Sequence, residues 1–85
     1  MYNEELTNLD LTNKIVVLHK EAVRGGKMED RIFKINGGFG TSPTAIGSAI
    51  FGVHLDGECV RWERGHVERL ATQKELDQYG TPPDE

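Results

Sequence analysis

His54 and Cys59 are two residues whose side chains could together activate a thiol. A histidine beside a cysteine favours the thiolate, which is the nucleophile of cysteine enzymes. The sequence indicates no acidic residue to orient this histidine and no oxyanion-stabilising group on the same face. We therefore expect no catalytic residues and keep an enzyme that uses Cys59 and His54 as the second alternative function.

Metal and cofactor chemistry has little support in the sequence. Three histidines and one cysteine are present, but none of the spacings typical of zinc sites occurs. The segment GGFGTSPT, from Gly37 to Thr44, lacks the Gly-Lys-Ser/Thr ending of a phosphate-binding loop, and Pro43 stands where a dinucleotide fingerprint requires its third glycine. We interpret this segment as a tight connection and expect neither a metal nor a cofactor.

The remaining residues with binding chemistry are basic or aromatic. Arginine and aromatic side chains dominate the energetics of protein interfaces, and Phe39 stands alone between glycines. We therefore predict a non-catalytic interaction module that binds a protein partner through Arg24, Lys27, Phe39, Arg61, Arg64 and His66. The alternative is a nucleic-acid-binding small barrel that uses Arg24, Lys27, Arg61, Arg64 and Arg69.

Charge is distributed unevenly along the chain. The formal net charge is −4, and residues 1–10 and 75–85 hold seven acids and no base, so that all ten lysines and arginines lie between these ends. The weakly basic body is a poor match for a phosphate backbone, which the acidic ends would also repel. The charge pattern therefore favours a protein partner over nucleic acid.

Five short segments have the composition of strands. They are KIVVLHK (14–20), RIFKIN (31–36), AIFGVHL (49–55), ECVRWER (58–64) and VERLAT (67–72), the last being either a short closing strand or a 3₁₀ turn. Asp56-Gly57 between two of them predicts a two-residue type I′ hairpin turn. In that register Phe51, Val53, Leu55, Val60 and Trp62 face the core, while Gly52, His54, Cys59, Arg61 and Glu63 face solvent.

Two helical elements complete the pattern. Ser42 or Thr41 before Pro43 predicts a short helical turn near residues 43–48. Thr72 as N-cap, Glu75 three residues later and a stop at Gly80 predict a C-terminal helix near residues 73–79.

These features predict a mainly β fold, with an α+β domain as the alternative. The leading strand KIVVL, the charged loop after it, the hairpin IFGVHLDGECVRW and the closing VERL resemble an SH3-like small β-barrel over residues 14–70. The resemblance implies an antiparallel barrel of four or five short strands, a fold that carries many unrelated functions. We divide the chain into an acidic N-terminal segment (1–12), the barrel (13–72) and a C-terminal helix or acidic tail (73–85).

Length and composition set the remaining expectations. Eighty-five residues form one small domain, and no apolar run approaches a membrane span, so we expect no membrane partner. A single cysteine excludes an internal disulfide, and we therefore expect a cytoplasmic protein. An exposed sheet edge, for which we consider the 31–36 strand, could pair with a second copy to form a homodimer.

Overall fold

The computed structural model describes residues 10–42 and 47–83, which form one antiparallel sheet of five strands. The strands are Ile15–Leu18 (β1), Ile32–Gly37 (β2), Ala49–His54 (β3), Cys59–Glu63 (β4) and Val67–Leu70 (β5). Their spatial order is β4-β3-β2-β1-β5. The mainly β fold is confirmed. β4 and β5 lie at opposite edges and do not pair, so the sheet is open rather than closed into a barrel.

The edges of the sheet differ from the expected ones. β2 lies between β3 and β1, so the prediction of a free edge at residues 31–36 is wrong. β2 is unsuited to an edge because its apolar residues Ile32, Phe33 and Ile35 are all fully buried. Any pairing with a further strand must therefore use β4 or β5.

The core lies on one face of the bent sheet. It consists of Leu11, Val16, Leu18, Phe33, Ile35, Ile50 and Val67, with Val60, Trp62 and Leu70 packed against it. Val17, Ile32 and Val53 point to the opposite face, yet they are also fully buried. The central strands are therefore covered on both faces, which explains their nearly continuous apolar sequences.

Helices are short in this molecule. The loop between β1 and β2 contains 3₁₀ turns at Lys20–Ala22 and Arg24–Gly26 and the helix Met28–Arg31 (α1), and further 3₁₀ turns lie at Phe39–Thr41 and Arg64–His66. The predicted helical turn near residues 43–48 falls mostly on residues 43–46, which lie outside the described residues. Among the described residues, no helix is both long and apolar enough to cross a membrane.

The C-terminal helix Gln73–Tyr79 (α2) confirms the sequence prediction. The Thr72 hydroxyl accepts a hydrogen bond from the Glu75 amide, the Glu75 carboxylate accepts one from the Thr72 amide, and Gly80 ends the helix with φ +105°. A Cβ built on Gly80 would lie 3.8 Å from Leu55 Cδ2. The C-terminal segment thus runs from the β5 edge to the turn between β3 and β4.

The β3–β4 hairpin forms as predicted, but its turn is one residue longer. The main-chain carbonyl of His54 accepts a hydrogen bond from the Gly57 amide at 3.0 Å, and the main-chain amide of His54 donates one to the Glu58 carbonyl at 3.1 Å. Gly57 has φ +84°. This is a three-residue loop, a type I turn followed by a left-handed glycine, rather than a type I′ turn. Left-handed backbone at this position favours glycine.

The longer turn shifts β3 by one residue and reverses its faces. Phe51 pairs with Arg61 instead of Trp62, and its side chain is 47% exposed, so the prediction of a core position for Phe51 is wrong. Gly52 and His54 lie on the core face instead. The prediction for β4 is confirmed, since Trp62 packs on the core while the Arg61 side chain is 59% exposed.

Candidate partner-binding surface

The six side chains predicted to bind a partner do not form one surface. Arg24 and Lys27 are exposed on the loop between β1 and β2. Phe39 lies just beyond the end of β2, and Arg61 pairs with the residue of β3 that is opposite the last residue of β2. Arg64 and His66, in the turn between β4 and β5, are partly buried. Each pair therefore has its own surroundings and its own chemistry.

Arg64 makes side-chain hydrogen bonds within the fold. Its Nη1 atom donates to the Gly40 carbonyl oxygen at 2.6 Å and to the Thr41 carbonyl oxygen at 3.1 Å. Burial lowers the pKa of this guanidinium, and the nearby Asp10 carboxylate partly opposes that shift. These bonds fix the 3₁₀ turn that carries Phe39.

His66 also has a structural role. Its Nδ1 atom accepts a hydrogen bond from the Glu63 amide at 3.1 Å, and its ring meets Trp62 edge-on at a centroid distance of 5.4 Å. The Glu63 amide is thereby satisfied at the end of β4. His66 thus stabilises the exit from this strand.

His54 and Cys59 do not form the pair considered from the sequence. Cys59 lies opposite Val53 on the exposed side of the hairpin, whereas His54 lies on the core face. The His54 Nε2 atom accepts a hydrogen bond from Trp62 Nε1 at 3.0 Å, and because indole only donates, the proton of His54 is on Nδ1, which donates to the Ile32 carbonyl oxygen. The proposed thiol–imidazole contact is therefore absent among the described residues.

Arg69, predicted as a nucleic-acid contact, is engaged within the molecule. It donates two hydrogen bonds to the Glu75 carboxylate, at 2.7 and 2.6 Å. This contact raises the pKa of Arg69 and lowers that of Glu75 to about 2. The bond joins β5 to α2 and leaves little of this guanidinium for a phosphate.

Phe39 and Phe51 are exposed aromatic side chains, and Phe51 lies beside Arg61. Phe39 is 73% exposed and Phe51 47% exposed. The Phe51 ring packs against Gly38, where a Cβ would lie 3.0 Å from Phe51 Cδ2, and Gly38 directly precedes Phe39. Arg61 is the cross-strand neighbour of Phe51 on the same face. We call Phe39, Phe51 and Arg61 the aromatic patch.

A shallow pocket of about 360 Å³ adjoins the aromatic patch. It is lined by Asn36, Phe51, Gly52, Cys59, Val60 and Arg61. The Arg61 guanidinium at its rim lies 3.3 Å from the Glu63 carboxylate, an exposed pair that is worth little and is easily exchanged. An apolar side chain with a neighbouring carboxylate would complement this pocket.

Arg24 has different surroundings from Arg61. It lines a cleft of about 400 Å³ beside four acidic side chains, those of Glu29, Asp30, Asp56 and Glu58. Trp62 and His54 form part of the wall of this cleft. A phosphate backbone would be repelled from this position. Among the described residues, no group of three or more histidine, cysteine or acidic side chains is placed to hold a metal ion.

Sequence reasoning missed Phe51 as a surface residue. The error came from the turn length, because a two-residue loop places Phe51 in the core and a three-residue loop places it outside. Gly52 was an available signal. A glycine inside a strand often marks a place where another backbone approaches closely. A Cβ at position 52 would overlap the Lys34 carbonyl oxygen, so the close contact between β3 and β2 requires glycine here.

Comparison of the chain with protein-family models, with curated proteins and with solved structures returned no match.

Proposed function

We propose that this chain is a non-catalytic module that binds a protein partner through the aromatic patch. The observation that carries the proposal is the exposure of two phenylalanines, Phe39 and Phe51, of which Phe51 lines a shallow apolar pocket together with Arg61. Burying one phenylalanine side chain is worth about 1.5–3 kcal/mol, so covering both would supply much of the free energy of a specific complex. Aromatic and arginine side chains are also the commonest energetic centres of protein interfaces.

The two exposed phenylalanine rings are not part of the hydrophobic core. Phe39 and Phe51 stand outside the core cluster, which is filled by other residues. An exposed apolar side chain that lines a surface pocket, as Phe51 does, is typical of an interaction site. The resemblance to SH3-like barrels and the cytoplasmic location remain part of the proposal, and the single exposed cysteine suits a reducing compartment.

Nucleic-acid binding is the weaker alternative. Of its five candidate residues, Arg69 is bonded to Glu75, Arg64 is bonded to backbone carbonyls, and Arg24 lies among acids. Exposed rings could stack on bases, but only Lys27 and Arg61 of the five candidates lie outside these contacts. The distribution of charge thus supports a protein ligand.

The test uses site-specific photo-crosslinking from position 39 in cells of the native host. The crosslinked protein is identified, purified and titrated against the wild-type chain and single variants. We expect Phe51→Ala and Arg61→Ala to weaken its binding by about tenfold, because each removes a side chain of the patch. Arg24→Ala is the matched control, since it removes an exposed arginine outside the patch.

Two results would contradict the proposal. The first is equal binding of the purified protein by Phe51→Ala and the wild type, with both folded by circular dichroism. The second is tight binding of a single-stranded oligonucleotide whose affinity falls steeply with salt and depends on Arg61.

A further inference from the structure

The hydrogen-bond pattern of the β3–β4 hairpin leaves one side of β4 unpaired. The bonded pairs are His54 with Glu58 and Ser48 with Arg64. The main-chain groups that face β3 are therefore those of Val60 and Trp62 in β4 and of Glu58 and Arg64 beside it. The N–H and C=O groups of the alternate residues, Cys59, Arg61 and Glu63, therefore point away from the sheet.

Among residues 10–42 and 47–83, these outward groups are largely without partners. His66 accepts from the Glu63 amide. The amides and carbonyls of Cys59 and Arg61 make no hydrogen bond within the described part of the chain. Two donors and two acceptors are thus presented in a row at the edge of the sheet. Such a row is a template for a further strand.

The opposite edge is less suited to pairing. The β1–β5 ladder is irregular between Val17 and Leu18, where a bulge interrupts the register. The Arg69 guanidinium also lies 3.4 Å from the Leu70 carbonyl oxygen at that edge. β4 is longer and its ladder with β3 is regular. Bulges and short strands reduce the availability of an edge, so β4 is the better acceptor.

We infer that β4 accepts an extended segment of the protein partner as a sixth strand. This inference rests on the proposed function and specifies how the partner binds. The segment exchanges hydrogen bonds with the main chain of Cys59 and Arg61, as in other cases of strand addition. Side chains of the segment that lie on the same face as Arg61 reach the aromatic patch and its pocket.

The side chains around the edge define the segment. A residue opposite Arg61 projects onto the same face as the guanidinium, where an acidic side chain replaces the exposed contact with Glu63. The residue two positions away projects onto that face as well, beside the pocket lined by Phe51 and Cys59. The segment therefore carries an apolar and an acidic side chain two residues apart.

A second copy of this chain fits the edge less well. Pairing Cys59 with Arg61 of another copy brings the two Arg61 side chains onto one face as diagonal neighbours, and pairing Arg61 with itself places like charges directly opposite each other. Pairing Arg61 with Glu63 requires the Glu63 amide, which His66 already occupies. Each of these three antiparallel registers thus has a defect that a different sequence avoids.

The experiment selects binders from a displayed library of random peptides of about ten residues, using the full chain as bait. Selected peptides are synthesised and titrated by fluorescence anisotropy. Cys59→Pro removes one outward amide but no bond of the β3–β4 ladder, and we expect it to weaken binding by at least about fivefold. Cys59→Ser keeps the amide and changes only the side chain, so the weakening by Cys59→Pro must exceed that by Cys59→Ser if the amide is what binds.

A second measurement does not depend on the folding of the proline variant. Single N-methyl groups are placed along a selected peptide and tested against the wild-type chain. We expect loss of binding at every second position only, because alternate amides of a strand face its neighbour. Hydrogen exchange at the Cys59 and Arg61 amides should slow in the presence of the peptide.

The inference is overturned if no peptide is selected, or if methylation has no alternating effect and the two amides exchange unchanged. A crosslinked partner that still depends on Phe51 would then show that the patch binds through side chains alone. Loss of the Phe51 dependence as well would mean that the proposed function itself has failed.

Discussion

The ion pair between Arg69 and Glu75 is the contact whose contribution to the free energy of unfolding can be predicted most directly. Substituting Glu75→Gln keeps the shape of the side chain and the capping contact with Thr72, but it removes the charge that binds Arg69. The pKa of Glu75 falls from its ordinary 4.5 to about 2, chiefly because of the hydrogen bonds from Arg69. A difference of this size corresponds to about 3 kcal/mol of stabilisation of the carboxylate in the folded state.

Exposure of the ion pair to solvent reduces this stabilisation of the carboxylate. The Arg69 side chain is 37% exposed and that of Glu75 is 17% exposed, so we expect screening to leave about 1–2 kcal/mol. For a domain of this size, that loss lowers the melting temperature of the variant by about 5–15 °C at neutral pH. Asp77→Asn is the matched control, because it removes one acid from the same helix without contact to Arg69.

The difference between wild type and Glu75→Gln should depend on pH. Because the pKa of Glu75 is lowered on folding, its contribution is complete above 4.5 and is lost as the pH falls towards 2. Urea unfolding of both proteins at a series of pH values between 7 and 2 measures this change. A difference in unfolding free energy that stays constant over this range would refute the reasoning, as would an equal loss in Asp77→Asn.

Three further predictions concern the core and the hairpin. Gly52→Ala should destabilise the fold by about 3 kcal/mol or more in urea unfolding, because its Cβ would overlap the carbonyl oxygen of a neighbouring strand, whereas Gly65→Ala, with open space around it, should change stability by less than about 0.5 kcal/mol. Trp62→Phe should cost about 1–2 kcal/mol because His54 Nε2 loses its donor, and a double-mutant cycle with His54→Phe should give a coupling of about 1 kcal/mol; no coupling would contradict the bond. Gly57→Ala should cost about 1 kcal/mol through its positive φ, measured by thermal unfolding, and a neutral result would contradict the turn type.

The local signals in the sequence were sufficient for the five strands and for α2, but not for the short helix α1 or for the register. The capping residues around α2 act within a few positions of one another, so Thr72 and Gly80 defined that helix from the sequence alone. The strands were also found, because β-branched residues cluster there. Asp56-Gly57 predicted the position of the hairpin correctly, but this pair is compatible with a two-residue and a three-residue loop. The hydrogen bonds that distinguish the two loops cannot be read from the sequence.

The contacts of the arginines were beyond prediction for a different reason. Arg64 binds the carbonyl of Gly40, 24 residues away, and Arg69 binds the carboxylate of Glu75, six residues away in the first turn of α2. A sequence pattern shows that an arginine is on a surface strand or turn, but not which acceptor comes within reach. The exposed position of Arg61 was predicted correctly, because side chains alternate along β4 and the neighbours of Arg61, Val60 and Trp62, face the core.

The error in β3 also shows why the candidate site lies where it does. Ile50 and Val53 are both fully buried although they point to opposite faces, so the hydrophobicity of this strand cannot distinguish one register from the other. The third residue in the turn selects the register that brings Gly52 against β2 and sends Phe51 to the face of Arg61. A chain with a two-residue turn would bury this ring and lose the aromatic patch, although the same β4 amides would still face outwards. The length of one turn thus determines whether the open edge of the sheet has an apolar surface beside it.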